Sequence, residues 1–444
     1  MPEIMIKLPS DVKEIIGAFE DAGFEAYAVG GCVRDSLLGR VPSDWDVTTS
    51  AKPEDTKRIF GRTVDTGIKH GTVTVLRGKR AYEVTTYRID GEYSDQRHPD
   101  KVLFTDDLKE DLRRRDFTIN AMAWSDRTGL VDVFGGKEDL ERRLIRAVGD
   151  PYERFSEDAL RILRAVRFSA QLGFEIEEQT QMAAGQLSYT IGAVSAERVR
   201  DELMKILLSP RPYYLKKAWE LGITAEMLPE LDRCMECGQN NPHHIYSVGE
   251  HILHSLEHIA PDPALRLTML FHDMGKPDKK TVDENGVTHN KGHAEVSCDL
   301  AGVIMRRLKF DNATVSLVKR LVKWHELRLP ETKAAVRRSM NRVGKDVFPL
   351  LFPVKLADTL AQSDYMREEK FAHYARIREL YEEILKDGDP VTLKELAVTG
   401  EDLIERGVTP GPEMGRILGE MLNEVMDDPS KNEKEYLIGK YAGK

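Results

Sequence analysis

With 444 residues, a net charge of −10 and 32% charged side chains, the chain is too long for one ordinary core, and roughly two to four domains are expected. No stretch approaches about 18 uninterrupted apolar residues, which excludes a spanning helix, and the opening MPEIMIKLPSDV lacks the basic start and apolar run of a secretory signal. A soluble cytoplasmic protein without membrane association is predicted. No disulfide framework is expected either, since Cys234 and Cys237 are a lone CxxC better read as reduced thiols than as half a zinc site.

Residues 3–23 carry Val12, Ile15, Ile16 and Phe19 at helical spacing and predict an amphipathic helix closed by Gly23. The next stretch, Tyr27 to Thr49, reads YAVGGCVRDSLLGRVPSDWDVTT. A strand ending at Val29, a turn at Gly30 and Gly31, a short helix over Cys32–Leu38 and a second strand over Asp44–Thr48 are predicted. Paired glycines let a backbone approach a ligand, the following helix start offers free N–H groups to a phosphate, and Arg34 adds a charged fork one turn in. If Asp44 and Asp46 lie on one strand they share a face about 7 Å apart, a placement of hard oxygen ligands that suits Mg²⁺. An ordinary turn and a solvated strand end explain either half alone; their union in one run points to two-metal phosphoryl transfer.

This run, matching GGxxRDxxLGxxxxDxD through Gly30, Gly31, Arg34, Asp35, Leu38, Gly39, Asp44 and Asp46, resembles the head signature of the class II CCA-adding enzymes and their bacterial poly(A) polymerase relatives, within the DNA polymerase β-like nucleotidyltransferases. The resemblance implies a head of mixed sheet and helices. Asp44 and Asp46 would hold catalytic Mg²⁺ there, while Gly31 and Arg34 would hold a nucleoside triphosphate.

Further along, Pro53–Phe60 reads as a helix start with acids in its first turn. Thr72–Leu76 and Ala81–Thr86 read as a hairpin across Gly78-Lys79, which would stand Glu83 beside the DxD strand. Glu83 is the candidate third carboxylate of the metal site; its plainer reading is a solvent-facing strand residue. The polar stretch Arg88–Phe104 resembles the family's loop needed for switching from C to A addition. Within RRRDFTINAMAW, Arg115 is the candidate nucleotide contact, and Asp116 and Asn120 are placed to brace a helix and reach a ribose hydroxyl. DVFGGKEDL matches the next family motif, a hinge between head and neck.

The net charge argues weakly against nonspecific nucleic-acid binding, but arginines crowd between residues 113 and 167, where a local basic surface is compatible with a negative whole. Residues 157–168, EDALRILRAVRF, predict an apolar-striped helix with Leu160, Leu163 and Val166 in the core and Asp158 and Arg161 one turn apart. Cytosine and adenine each present an amino donor beside an acceptor where uracil and guanine present a carbonyl. An Asp acceptor next to an Arg donor therefore fits C and A and rejects the other two. An i,i+3 salt bridge is the commoner meaning of that spacing. EDxxR followed by RxxRF, however, resembles the family's amino-acid template, which implies that Asp158 and Arg161 read the base and that Arg164 and Arg167 assist.

All of the twelve histidines except His70 and His98 lie from His243 onward. His251, the adjacent His272-Asp273 at the end of an apolar helix, and Asp358 resemble the HD superfamily of metal-dependent phosphohydrolases; His293 and His325 fill the extra positions of its two-metal members. The resemblance implies a second site holding a divalent transition metal or Mg²⁺, while His254 and His258 read as ordinary helical histidines.

The fold class expected is α+β. A nucleotidyltransferase head spans 1–147, a helical RNA-binding neck 148–235, an HD-type metal-binding domain 236–385 and a helical tail 386–444. The activity implied is addition of C, C and A to the tRNA 3′ end from CTP and ATP, with no protein partner. The rivals are a poly(A) polymerase, an enzyme limited to terminal A, an HD phosphohydrolase with an RNA-binding head, and a signalling uridylyltransferase, for which no sensor domain is visible.

Overall fold

Val12, Ile15, Ile16 and Phe19 are buried along one face of a helix over Ser10–Asp21. It starts later than the periodicity suggests because Pro9 stands at its N-cap, and a proline turns the residue before it away from helical geometry. This computed structural model describes residues 6–91 and 102–442, which fall into two units divided after Pro229.

The first unit is built on a mixed sheet. Its strands are β1 (Ala26–Val29), β2 (Asp46–Thr49), β3 (Thr63–Gly67), β4 (Thr72–Arg77) and β5 (Arg80–Thr86); β6 (Arg88–Asp90) and β7 (Val102–Phe104) form a separate two-stranded ribbon, and β8 (Met122–Ser125) and β9 (Gly129–Asp132) return to the sheet. The sheet order is β3-β4-β5-β2-β1-β8-β9. The predicted hairpin is β4 and β5, and β5 pairs in parallel with β2. Tyr27, Val29, Tyr87, Leu112 and Ala123 belong to the core beneath. The ends of the expected switching loop form the β6–β7 ribbon, and its middle, residues 92–101, lies outside the described residues.

Two further expectations are corrected here. The second strand begins at Asp46, so Asp44 lies ahead of it: Asp46 pairs with Val29, the last residue of β1, and beyond Val29 the chain turns away at Gly30, leaving Asp44 no partner strand. The helix expected over 157–168 is two helices, Pro151–Glu157 and Leu160–Leu172, with Asp158 in extended conformation between them. The Asp158 side chain accepts the Leu160 N–H at 3.1 Å, as aspartates do at helix starts. Leu160, Leu163 and Val166 are buried as expected.

The second unit is helical apart from a short ribbon of Thr281–Val282 against Thr288–His289. Its last segment has its own core around Leu403, Met421, Val425 and Leu437. Among the described residues no helix is long and apolar enough to cross a membrane.

Candidate active site and a second cluster of metal ligands

Gly30 adopts a left-handed conformation (φ 81°) between β1 and the helix Gly31–Leu37, and a Cβ there would stand 3.1 Å from an Arg115 Nη atom. Arg115 and the glycine turn are thus brought together. The parallel pairing of Val47 with Val84 sets Asp46 abreast of Glu83, so the two lead residues of the carboxylate group sit on neighbouring strands. The Asp46 side chain is open to solvent, yet the protein packed around it pushes its pKa up, with Glu83 and Asp44 adding to the rise and Arg115 opposing it. Among the described residues, Asp44, Asp46 and Glu83 form no set of ligand atoms drawn within 4.8 Å of one another. Bare carboxylates repel, and a divalent cation between these hard oxygens would draw them together.

Around this corner runs a network of arginines. Arg34 donates to Asn120 Oδ1 (2.7 Å), Asn120 donates to Asp116 Oδ1 (3.0 Å), and Arg164 donates to Asp116 Oδ2 (2.9 Å). Arg34, Arg164 and Arg167 all lie over the Phe168 ring, with centroid distances of 5.2, 5.6 and 3.9 Å. Arg167 also pairs with Glu202 at 3.1 Å. Asp158 and Arg161, expected one turn apart on the face of one helix, are not on one helix. Asp158 accepts from Arg198 (2.8 Å), and Arg161 donates to Glu157 (2.6 Å) and to the carbonyls of Arg154 and Arg114. The reason is the break at Asp158, which takes it off the helical face that an i,i+3 contact requires. Phe168, Arg198 and Glu202 were not singled out from sequence. The first could have been, because RxxRF sets an aromatic among arginines; the other two belong to a separate helix, Ala196–Leu207, further along the chain.

In the second unit, five separate helices or helix ends bring their ligands together. His251, His272, Asp273 and Asp358 form one group, and Asp273, His293 and His325 another, each with ligand atoms within 4.8 Å. All but Asp358 are buried. Nδ1 of His251, His272, His293 and His325 lies against the carbonyls of Ala361, Met269, Asn290 and Val322 at 2.7–3.2 Å. A carbonyl only accepts, so each Nδ1 carries a proton and each Nε2 faces inward. The inward nitrogens then meet in pairs, His251 with His272 at 3.2 Å and His293 with His325 at 3.3 Å. Facing lone pairs need a proton or a metal between them. Burial opposes charge on His272, but the Asp273 carboxylate outweighs it and raises its pKa to about 10, whereas burial and the His272 charge push His325 down to about 3. Asp273 faces both groups, Oδ1 toward His293 (3.0 Å) and Oδ2 toward His251 and His272 (3.3 Å each). Gly275 lets the helix His293–Arg307 approach this closely, since a Cβ would stand 2.6 Å from the His293 carbonyl. This mixed imidazole and carboxylate set is one that could hold divalent metal ions, with Asp273 common to both groups.

Sequence profiles match the chain over most of its length: the poly A polymerase head domain over residues 26–146, the RNA and SrmB-binding site of polymerase A over 173–235, and domain 2 of tRNA nucleotidyltransferase over 293–440. A CCA-adding enzyme of Levilactobacillus brevis is 35% identical across 96% of both chains, and one of Limosilactobacillus fermentum is 36% identical across 97% of this chain and 96% of its own. The chain belongs to the CCA-adding enzyme family. A CCA-adding enzyme of Bacillus stearothermophilus, solved in complex with CTP, superimposes with a TM-score of 0.75 at 31% identity over 98% of each chain. Nucleotidyltransferases of this family use divalent metal ions, and this chain has possible metal-binding groups, those of the second unit.

Within the CCA-adding fold, the Asp116–Arg164 pair is also structural. Burial alone would raise the Asp116 pKa, but Arg164 and the Asn120 hydrogen bond outweigh it and hold the carboxyl well below its usual range. Asp116→Ala is expected to cost about 2 kcal/mol in urea unfolding at neutral pH, less than a fully buried pair because Arg164 keeps 32% exposure. A depressed carboxylate contributes stability above its unfolded value of about 3.9, and the contribution disappears as pH falls through the folded value. The difference between parent and variant should therefore shrink in acid.

Proposed function

We propose that this chain adds C, C and A to the 3′ end of tRNA in the cytoplasm, from CTP and ATP, without a nucleic-acid template. The observation that carries the reading is the setting of Asp46 abreast of Glu83, open to solvent, beside the Gly30–Gly31 turn and Arg115 in a member of the CCA-adding family. The oxygen of the terminal ribose hydroxyl bonds to the α-phosphorus, its proton passes to solvent, the bond from that phosphorus to the bridging oxygen breaks, and pyrophosphate leaves. Asp44, Asp46 and Glu83 would hold Mg²⁺, which when bound lowers the pKa of the attacking hydroxyl and neutralises charge on the leaving group. Gly31, Arg34 and Arg115 hold the triphosphate, Asp158 and Arg161 face the base, and Arg164 and Arg167 brace them. The head, neck, metal-binding domain and tail divide at about residues 147, 235 and 385.

Incubation of tRNAs ending in N, NC and NCC with single nucleotides tests this. The expected result is C addition to the first two and A addition to the third. Extension of NCC alone would make the enzyme A-adding only, and a long tail from ATP would make it a poly(A) polymerase.

The inward-facing Nε2 pairs favour a second activity, metal-dependent hydrolysis of a phosphoester by the His272–Asp273 cluster. His272→Ala is expected to lower bound transition metal, measured by mass spectrometry after dialysis, to well under half of the parent content. CCA addition by the same variant should be retained.

A further inference from the structure

The metal-ligand cluster opens into a cavity of about 770 Å³, the size of a nucleotide site rather than a site for one phosphate. Its wall carries five lysines and arginines besides the ligands; Lys276 is taken up by Asp273 at 2.6 Å and Lys291 is exposed, which leaves Lys355, Lys370 and Arg328. Lys355 Nζ donates to the His325 carbonyl (2.8 Å), Lys370 Nζ donates to Gln362 Oε1 (2.7 Å), and Arg328 is near enough for its charge to act on both lysines. Among the described residues none of the three has a carboxylate within ion-pair distance. The acids that face them are Asp358, whose oxygen is taken up by His251 at 3.0 Å, and Glu326 and Glu369 at the rim; Glu326 leans toward His293 Nδ1 at 3.5 Å. Cations gathered against their own repulsion are the ordinary preparation for an anion. Next to Lys355 the wall becomes an apolar recess of Leu327, Leu329, Phe352 and Tyr374, which at about 30 Å³ is too small for a base, so a base would lie in the main cavity.

We propose that this cavity takes a nucleotide bearing a second phosphate besides the one hydrolysed, the first lying on the His272–Asp273 cluster and the second among Lys355, Lys370 and Arg328. This rests on the hydrolase reading above. The reaction forms one P–O bond from a water oxygen and breaks the P–O bond to the leaving group, which takes up a proton from that water, so no oxidant or further reactant is needed.

The full chain carrying Asp46→Ala, which silences transfer at the head, is loaded with Mn²⁺ and given 5′-AMP, ADP and adenosine 3′,5′-bisphosphate. Hydrolysis of ADP or of the bisphosphate should exceed that of 5′-AMP at least about tenfold in kcat/KM, and which of the two is preferred tells a phosphate chain from separated phosphates. Arg328→Gln, at an exposed position, should reduce that ratio about tenfold while bound manganese and the melting temperature stay at the parent level. Calorimetric titration with the same nucleotides, using His272→Ala as the blank for the head, gives a second readout. Metal retention and a second-phosphate preference in binding, without turnover, would sink the hydrolase reading and keep the binding site. Equal rates and equal affinities for 5′-AMP and the bisphosphate, or a preference untouched by Arg328→Gln, would overturn the proposal.

Discussion

Asp46→Ala is expected to abolish addition of every nucleotide to every tRNA end, by at least about 1,000-fold, a loss of several kcal/mol of charge stabilisation at about 1.36 kcal/mol per factor of ten. The loss is chemical and not structural. Among the described residues the carboxylate makes no hydrogen bond or ion pair, and burial and the repulsion of Glu83 and Asp44 outweigh the attraction of Arg115. A carboxyl whose pKa is raised on folding costs stability above its unfolded value, so without metal the variant should melt no lower than the parent. With Mg²⁺ the order should reverse, because only the parent gains stability from the bound ion. Thermal melts with and without Mg²⁺, run beside the incorporation assay, separate this from damage to the fold: a variant that melts lower without metal would show that Asp46 holds the sheet together.

The parts of this molecule that follow a local period were legible in the sequence. The β4–β5 hairpin, the glycine turn at Gly30 and the buried stripe of Leu160, Leu163 and Val166 each depend on residues a few positions apart. Asp158 was misplaced because helical periodicity says which residues share a face but not where the helix begins, and aspartate's habit of accepting the first free N–H groups made the start fall just after it. The bonds that shape the arginine network of the head join residues far apart in sequence, Arg34 with Asn120 and Arg167 with Glu202, and no local pattern encodes them. The histidine cluster was legible as a set of ligand types. Its carbonyl anchors were not, because a backbone acceptor leaves no trace in residue identity.

Asp158→Ala is expected to keep transfer of C and A while discrimination against UTP and GTP falls by about 10²- to 10⁴-fold. A site that matches a base by hydrogen bonds rejects the wrong one because its buried polar groups are then left unpaired, and removing the acceptor removes that penalty. Asp158 is presently held by Arg198 at 2.8 Å, and Arg161 by Glu157 at 2.6 Å, so each must share or exchange its partner to meet a base. Arg198 therefore sets the resting position of the acceptor. Arg198→Ala should raise KM for both correct nucleotides more than it lowers kcat, with selectivity between C or A and U or G kept, since the carboxylate itself survives. If Asp158→Ala keeps full selectivity as well, the base is read elsewhere, and the Asp158–Arg198 pair is an ordinary brace between the two helices.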